Sequence, residues 1–211
     1  MALWRLLRGF GTVVSVRDLR LVLASVSPRR RDLLASLGWS FEQVAPQYQE
    51  EVLPGESPEQ MVLRLALGKA KSVASAFEGR WIIGSDTVVA VDGQVLGKPE
   101  NDAQALDMLR RLQGRTHHVF SGLALLGPDF EAAALDFSAV TFYPASDEEL
   151  RAYIATGEGR DKAGSYALQG RGALLVQSLM GHPSTVVGLP LTVLSQLLSQ
   201  AGLDRSAQWR M

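Results

Sequence analysis

Leu21-Val22-Leu23-Ala24-Ser25-Val26-Ser27-Pro28-Arg29-Arg30, residues 21–30, holds a strand, a turn and a helix start within ten positions. Four consecutive apolar residues bounded by a turn read as a strand covered on both faces. Ser27 is a good N-cap, Pro28 suits the first helical position, and Gly38 closes the helix, whose apolar face is Leu33, Leu34 and Leu37. A strand that runs into a helix N-terminus aims free N–H groups and the positive end of the helix dipole at one spot, which suits an anion. The hydroxyls of Ser25 and Ser27 and the guanidiniums of Arg29 and Arg30 would add charge-assisted, bidentate bonds to a triphosphate.

Downstream, strands and helices interleave. A strand is expected over 39–44, followed by an acidic loop through Glu50 and Glu51 and a long helix that opens with a capping box at Ser57. Trp81-Ile82-Ile83 reads as a buried strand ending at Gly84-Ser85-Asp86-Thr87. Two short strands, 88–91 and 94–96, flank the hairpin signal Asp92-Gly93. A helix capped by Asn101 runs to Gly114, strands cover about 116–126 and 132–143, and a helix spans about 146–156. A glycine-rich loop leads to a strand at 173–177, and a last helix enters at Pro190 and ends near Gly202. The pattern predicts an α/β fold with a mixed sheet. One domain is expected over 18–204, between a weakly ordered N-terminal extension, 1–17, and a tail, 205–211.

Composition narrows the function. The chain has 211 residues, of which 46% are hydrophobic and 20% charged, the balance of an ordinary packed globule. It contains no cysteine, so disulfides, thiolate metal sites and a cysteine nucleophile are excluded. A net charge of −1 argues against a dedicated nucleic-acid binder, and no apolar run approaches the roughly 20 residues of a membrane span. Residues 1–31 nevertheless carry seven arginines and one acid, while 32–63 carry six acids and no lysine or arginine. Adjacent basic and acidic segments suit a small polyanion carried with a divalent cation.

Asp86, at the end of a buried strand, is a candidate because ligands in open α/β sheets gather at the carboxyl ends of strands. With Glu50, or equally with Glu51, it would hold Mg²⁺, which accepts one or two carboxylates beside waters and substrate phosphates. Lys69 and Lys98 are further cations, and the Gln169 amide can both donate to and accept from a base edge. Neither a G-x-x-x-x-G-K-[ST] phosphate loop nor a G-x-S-x-G elbow is present. His117 and His118 are neighbours in an expected strand, so they face opposite ways and cannot clasp one metal.

The chain resembles the Maf-type nucleotide pyrophosphatases, the septum-formation inhibitor Maf-like proteins. The resemblance rests on six stretches in the family's order: L-A-S-V-S-P-R-R at 23–30, R-L-A-L-G-K-A at 64–70, I-I-G-S-D-T-V-V at 82–89, L-G-K-P at 96–99, D-K-A-G-S-Y-A-L-Q-G at 161–170 and V-V-G-L-P-L at 186–191. It implies an elongated mixed sheet with flanking helices, two lobes around a central cleft, as in inosine-triphosphate pyrophosphatases. The activity implied is metal-dependent hydrolysis of nucleoside triphosphates to the monophosphate and pyrophosphate. By motif, Ser27, Arg29, Arg30, Lys69 and Lys98 correspond to the phosphate-binding set. Glu50 and Asp86 correspond to the acids that bind Mg²⁺ or Mn²⁺, with Asp86 the proton acceptor.

Arg29, Thr87 and Gln169 match the branch acting on dTTP and UTP, for which modified pyrimidine nucleotides are further candidates. The branch acting on 7-methyl-GTP carries Trp, Gln and Glu at these positions. Gly68, where a charged residue commonly precedes the lysine, departs from the family pattern. The alternatives are the same chemistry on 7-methyl-GTP or other modified nucleotides, and a non-catalytic nucleotide-binding regulator of cell division. The expected partners are a small-molecule nucleotide and a second copy of the chain, with no nucleic acid and no membrane. The cytoplasm is the expected location.

Overall fold

A computed structural model describes residues 20–205. The expected extension 1–17, and the tail beyond residue 205, lie outside the described residues.

Leu21–Ala24 forms β1, fully buried as its unbroken apolar run predicts. It lies parallel to β2 (Phe41–Val44) on one side and to the start of β3 (Trp81–Val91) on the other. Ser27 caps α1 (Pro28–Ala35), and a Ser57–Gln60 capping box opens α2 (Pro58–Ala74). Next come β4 (Gln94–Leu96), α3 (Asp102–Leu112), β5 (Thr116–Gly127), β6 (Phe130–Phe142) and α4 (Asp147–Ala155). The chain finishes with β7 (Val176–Met180), α5 (Pro183–Val187) and α6 (Leu191–Gln200). The seven strands make one mixed sheet in the order β2-β1-β3-β5-β6-β7, with β4 antiparallel to β3. The expected mixed α/β sheet with flanking helices is therefore present.

Long strands carry the sheet through separate apolar cores. Near the β1 end, Ile83, Leu123 and Leu125 pack with α1 and α6 on one face, and Ile82, Ala124 and Leu126 pack with α2 on the other. At the opposite end, Val89, Val91, Val119, Val140 and Phe142 pack with α3 and α4. Between these cores β3 carries the polar run Ser85-Asp86-Thr87.

That run was expected to end a strand, and the structure corrects it. Gly84, Ser85, Asp86 and Thr87 pair in register with Ala124, Leu123, Gly122 and Ser121 of β5, so β3 continues to Val91. Turn-prone residue types lose to a complete cross-strand ladder. The other edge of β3 is different. The register with β1 ends at Gly84, and the register with β4 begins at Val89. Because β5 occupies one side of β3 throughout, β1 and β4 share the other, and Ser85–Val88 are left with an open edge between them.

Two smaller elements differ from expectation, and one has none. Trp39 packs in the core ahead of β2, which starts at Phe41 rather than at residue 39. The apolar run expected as a strand at 173–177 instead turns as a 3₁₀ helix, Arg171–Leu175, before β7. The short α5 had no sequence expectation; the ring of His182 accepts from Ser184 N–H at its start, and Pro183 takes the first helical position.

Candidate active site

The open edge of β3 forms the floor of a cleft of about 840 Å³, within the range of small-ligand pockets. Ser27, Arg29, Arg30, Glu50, Lys69, Asp86, Thr87, Lys98 and Gln169 all line it. Asp86 and Thr87 are strand neighbours whose side chains leave opposite faces. Both reach the same cleft because it straddles the strand's unpaired edge.

Lys69 reaches Asp86 because α2 lies unusually close to the sheet. A Cβ on Gly84 would fall 2.2 Å from the Ala66 carbonyl oxygen, and one on Gly122 would fall 2.3 Å from that of Val62. Only bare backbone on β3 and β5 admits the helix at this distance. The side chain of Lys69 is then 6% exposed and that of Asp86 is 8% exposed, with Nζ 2.5 Å from Asp86 Oδ1. Glu50 Oε1 approaches the same nitrogen at 2.7 Å. The Glu51 carbonyl accepts from Arg64 Nη2 at 2.9 Å, and of the two neighbouring acids it is Glu50 that lines the cleft and meets Lys69.

Glu50 belongs to a loop without regular structure, so other residues must hold it. Arg64 grips both carboxylate oxygens of Glu56 at 2.6 Å, and the Tyr48 ring occupies the space that a side chain at residue 68 would need. The departure at Gly68 thus has a packing reason. Burial raises the pKa of the Glu50 carboxyl. The hydrogen bond from Lys69 and the charges of Lys69, Lys98 and Arg30 outweigh it and hold the group below its ordinary value.

Arg30 is committed on three sides. Its Nε donates to the Gly188 carbonyl at 2.7 Å, Nη2 to Thr87 Oγ1 at 3.2 Å and Nη1 to Ser25 Oγ at 3.4 Å. Burial lowers the pKa of its guanidinium, partly offset by Asp86. Ser27 N–H donates to Ser25 Oγ at 3.1 Å while its own hydroxyl caps α1. The first turn and the N-terminal end of α1 are thereby built from the residues that β1 delivers.

Lys98 and Gln169 come from the opposite rim, where the structure adds residues that sequence reasoning missed. Asp161 binds Arg29 Nη1 at 2.9 Å and Lys162 Nζ at 2.6 Å, and the first of these pairs ties the 157–172 loop to α1. Burial raises the pKa of Asp161, but the two cations bring it down to about 2. Spacing within the motif 161–170 assigns no partner to its Asp-Lys pair.

Among the described residues no group of three or more His, Asp or Glu side chains could hold a metal ion. Glu50 and Asp86 converge on one ammonium, however, and offer hard oxygen donors. Such a pair suits Mg²⁺ or Mn²⁺ when substrate phosphates and water complete the shell.

Comparison with known proteins identifies the family. Residues 20–201 match the family described as Maf-like protein. The chain is 46% identical to a dTTP/UTP pyrophosphatase of Symbiobacterium thermophilum over 183 residues, 87% of this chain and 94% of that one. It is 44% identical to a dTTP/UTP pyrophosphatase of Geobacter sulfurreducens, covering 87% and 97% of the two chains. In fold it is similar to the Ham1 protein of Staphylococcus aureus, with a TM-score of 0.50 at 16% identity, covering 86% of this chain and 99% of the other.

Proposed function

The chain belongs to the Maf-like protein family, and from that premise we propose that it hydrolyses dTTP and UTP to the monophosphate and pyrophosphate with a divalent cation. The observation that carries this reading is the meeting of Asp86, Glu50 and Lys69 in one cleft with Arg29 and Arg30.

A water oxygen forms a bond to the α-phosphorus as the bond to the bridging oxygen breaks. Asp86 accepts the water's proton, and pyrophosphate leaves. Arg29, Arg30, Lys69 and Lys98 surround the triphosphate and oppose the charge that accumulates on the departing group. Ser27 adds the N-terminus of α1 to that set. Glu50 and Asp86 would hold Mg²⁺ or Mn²⁺, which when bound supplies charge neutralisation at the phosphate oxygens. Binding alone would not call for a base beside the cations, which favours turnover over nucleotide sensing.

Selectivity follows from Arg29, Thr87 and Gln169. Among the described residues none hydrogen-bonds the Gln169 side chain, so its amide is available to a base edge. Thr87 is fixed by Arg30 and by Ser121 Oγ at 2.7 Å.

A panel of nucleoside triphosphates with Mg²⁺, scored for both products, tests the proposal. Release of pyrophosphate over many turnovers from dTTP and UTP, ahead of purine and 7-methyl-GTP substrates, is expected. Tight binding without product, or preference for 7-methyl-GTP, would overturn it.

A further inference from the structure

Gln169 sits in the loop 157–172, whose regular structure is limited to the 3₁₀ turn Ala163–Ser165 and the start of the next one at Arg171. A base-reading amide needs a rigid mount, and here the mount is a side chain. Glu158 Oε1 accepts from Arg171 N–H at 2.9 Å, while Oε2 accepts from Gly172 N–H at 2.8 Å and from the Tyr153 hydroxyl at 3.0 Å. Tyr153, buried in α4, accepts in turn from Ala167 N–H at 3.1 Å. Two side chains therefore hold the backbone on both flanks of Gln169, at 167 and at 171–172.

The space for this clamp is reserved. Gly170 has φ 93° and ψ −145°, a region essentially closed to other residues, and a Cβ there would lie 2.3 Å from Glu158 Oε1. A Cβ on Gly172 would lie 2.8 Å from the Tyr153 hydroxyl oxygen. Burial raises the pKa of the Glu158 carboxyl, but the two backbone N–H groups outweigh it and keep the group below its ordinary value. Loop strain concentrated beside a ligand cleft, and held by a satisfied carboxylate, marks a preorganised element.

We propose that Glu158, braced by Tyr153, is a positioning residue for nucleobase selection: it sets the Leu168–Gly170 turn so that the Gln169 amide faces the base. The inference rests on the reading of Gln169 given above. It makes Glu158 a determinant of pyrimidine preference without contact with the reacting phosphates.

The test compares kcat and KM for dTTP, UTP and GTP in Glu158→Ala, Glu158→Gln and Tyr153→Phe, each made alone and together with Gln169→Ala. Glu158→Ala is expected to raise KM for dTTP and UTP roughly tenfold and to reduce selectivity over GTP by a similar factor, with kcat within about twofold. Glu158→Gln, which keeps the shape but has one acceptor oxygen, should lie between. In the Gln169→Ala background the same change should alter selectivity by less than about twofold, because the mount then has nothing to aim. Should Glu158→Ala fail to fold, Tyr153→Phe keeps the ring and carries the same prediction at roughly threefold. If Gln169→Ala lowers selectivity but neither Glu158 nor Tyr153 variants do, or if these lower kcat equally on all three nucleotides, the positioning inference is overturned. If Gln169→Ala itself leaves selectivity unchanged, the base-reading assignment fails first and this inference with it.

Discussion

Lys69 Nζ stands 2.5 Å from Asp86 Oδ1 with Glu50 Oε1 on its other flank at 2.7 Å, so a single ammonium bridges two carboxylates. The two acids are unlike. Asp86 is buried in the sheet, whereas the Glu50 side chain is 51% exposed on a loop. One is fixed by the strand ladder; the other, on a loop, would be the one to adjust to the cation and phosphates of the proposed reaction.

Asp86→Asn keeps the side-chain shape and removes the proton acceptor. Turnover of dTTP should fall by roughly 10²–10⁴-fold. Lys69 keeps Glu50 as an ion-pair partner, so no buried ammonium is orphaned and the melting transition should remain cooperative. A wild-type rate in this variant would remove Asp86 from the chemistry.

Thr87→Gln combined with Gln169→Glu changes both the floor and the rim of the cleft. Preference should move away from dTTP and UTP, measured as the ratio of kcat/KM values against 7-methyl-GTP. An unchanged ratio would take these positions out of the selectivity argument.

Gly84→Ala tests the close approach of α2. The new methyl meets the Ala66 carbonyl, which is backbone and cannot swing aside. Loss of about 1–3 kcal/mol or more in urea unfolding is expected. Activity should fall as well, because α2 carries Lys69 and any retreat from β3 opens the pair with Asp86. Full stability in this variant would contradict the packing described here.

His117 provides a pH signature unrelated to catalysis. It is fully buried, with Nε2 2.9 Å from the Tyr166 hydroxyl, and burial, with a smaller effect of His118, lowers its pKa to about 4. Between that value and the ordinary one of about 6.5 the unfolded chain binds a proton that the folded chain does not. Stability should therefore decline as pH falls through this window, by up to about 3 kcal/mol from this group. Denaturant midpoints across pH 4–7 should flatten in His117→Leu; an unaltered slope would assign the dependence elsewhere.

Much of the site was legible in the order of residues. Ser27, Pro28 and the arginines carry their own local signals, because capping and helix starts depend on neighbours in the chain. Lys69 was legible too, though easily dismissed as solvated. It falls on the inward stripe of Val62, Leu65, Ala66, Ala70 and Val73, and a lysine in that register has to meet a buried partner. Spacing alone does not choose between Glu50 and Glu51. The choice depends on Arg64 and Tyr48, which act through space on a loop without periodicity. The Asp161–Arg29 pair and the Glu158 clamp were hidden for the same reason: glycine spacing tells where a loop can bend, not which carboxylate will hold it. The continuity of β3 through Gly84-Ser85-Asp86-Thr87 depends on β5, about 35 residues away in sequence, which no local reading of turn-prone residues includes.

The central assignment, attack of water on the α-phosphorus, is tested most directly by hydrolysing dTTP in ¹⁸O-labelled water and locating the label in the two products. The heavy oxygen is predicted in thymidine monophosphate, with unlabelled pyrophosphate released in equal amount. Label in pyrophosphate, or orthophosphate as the first product, would contradict it.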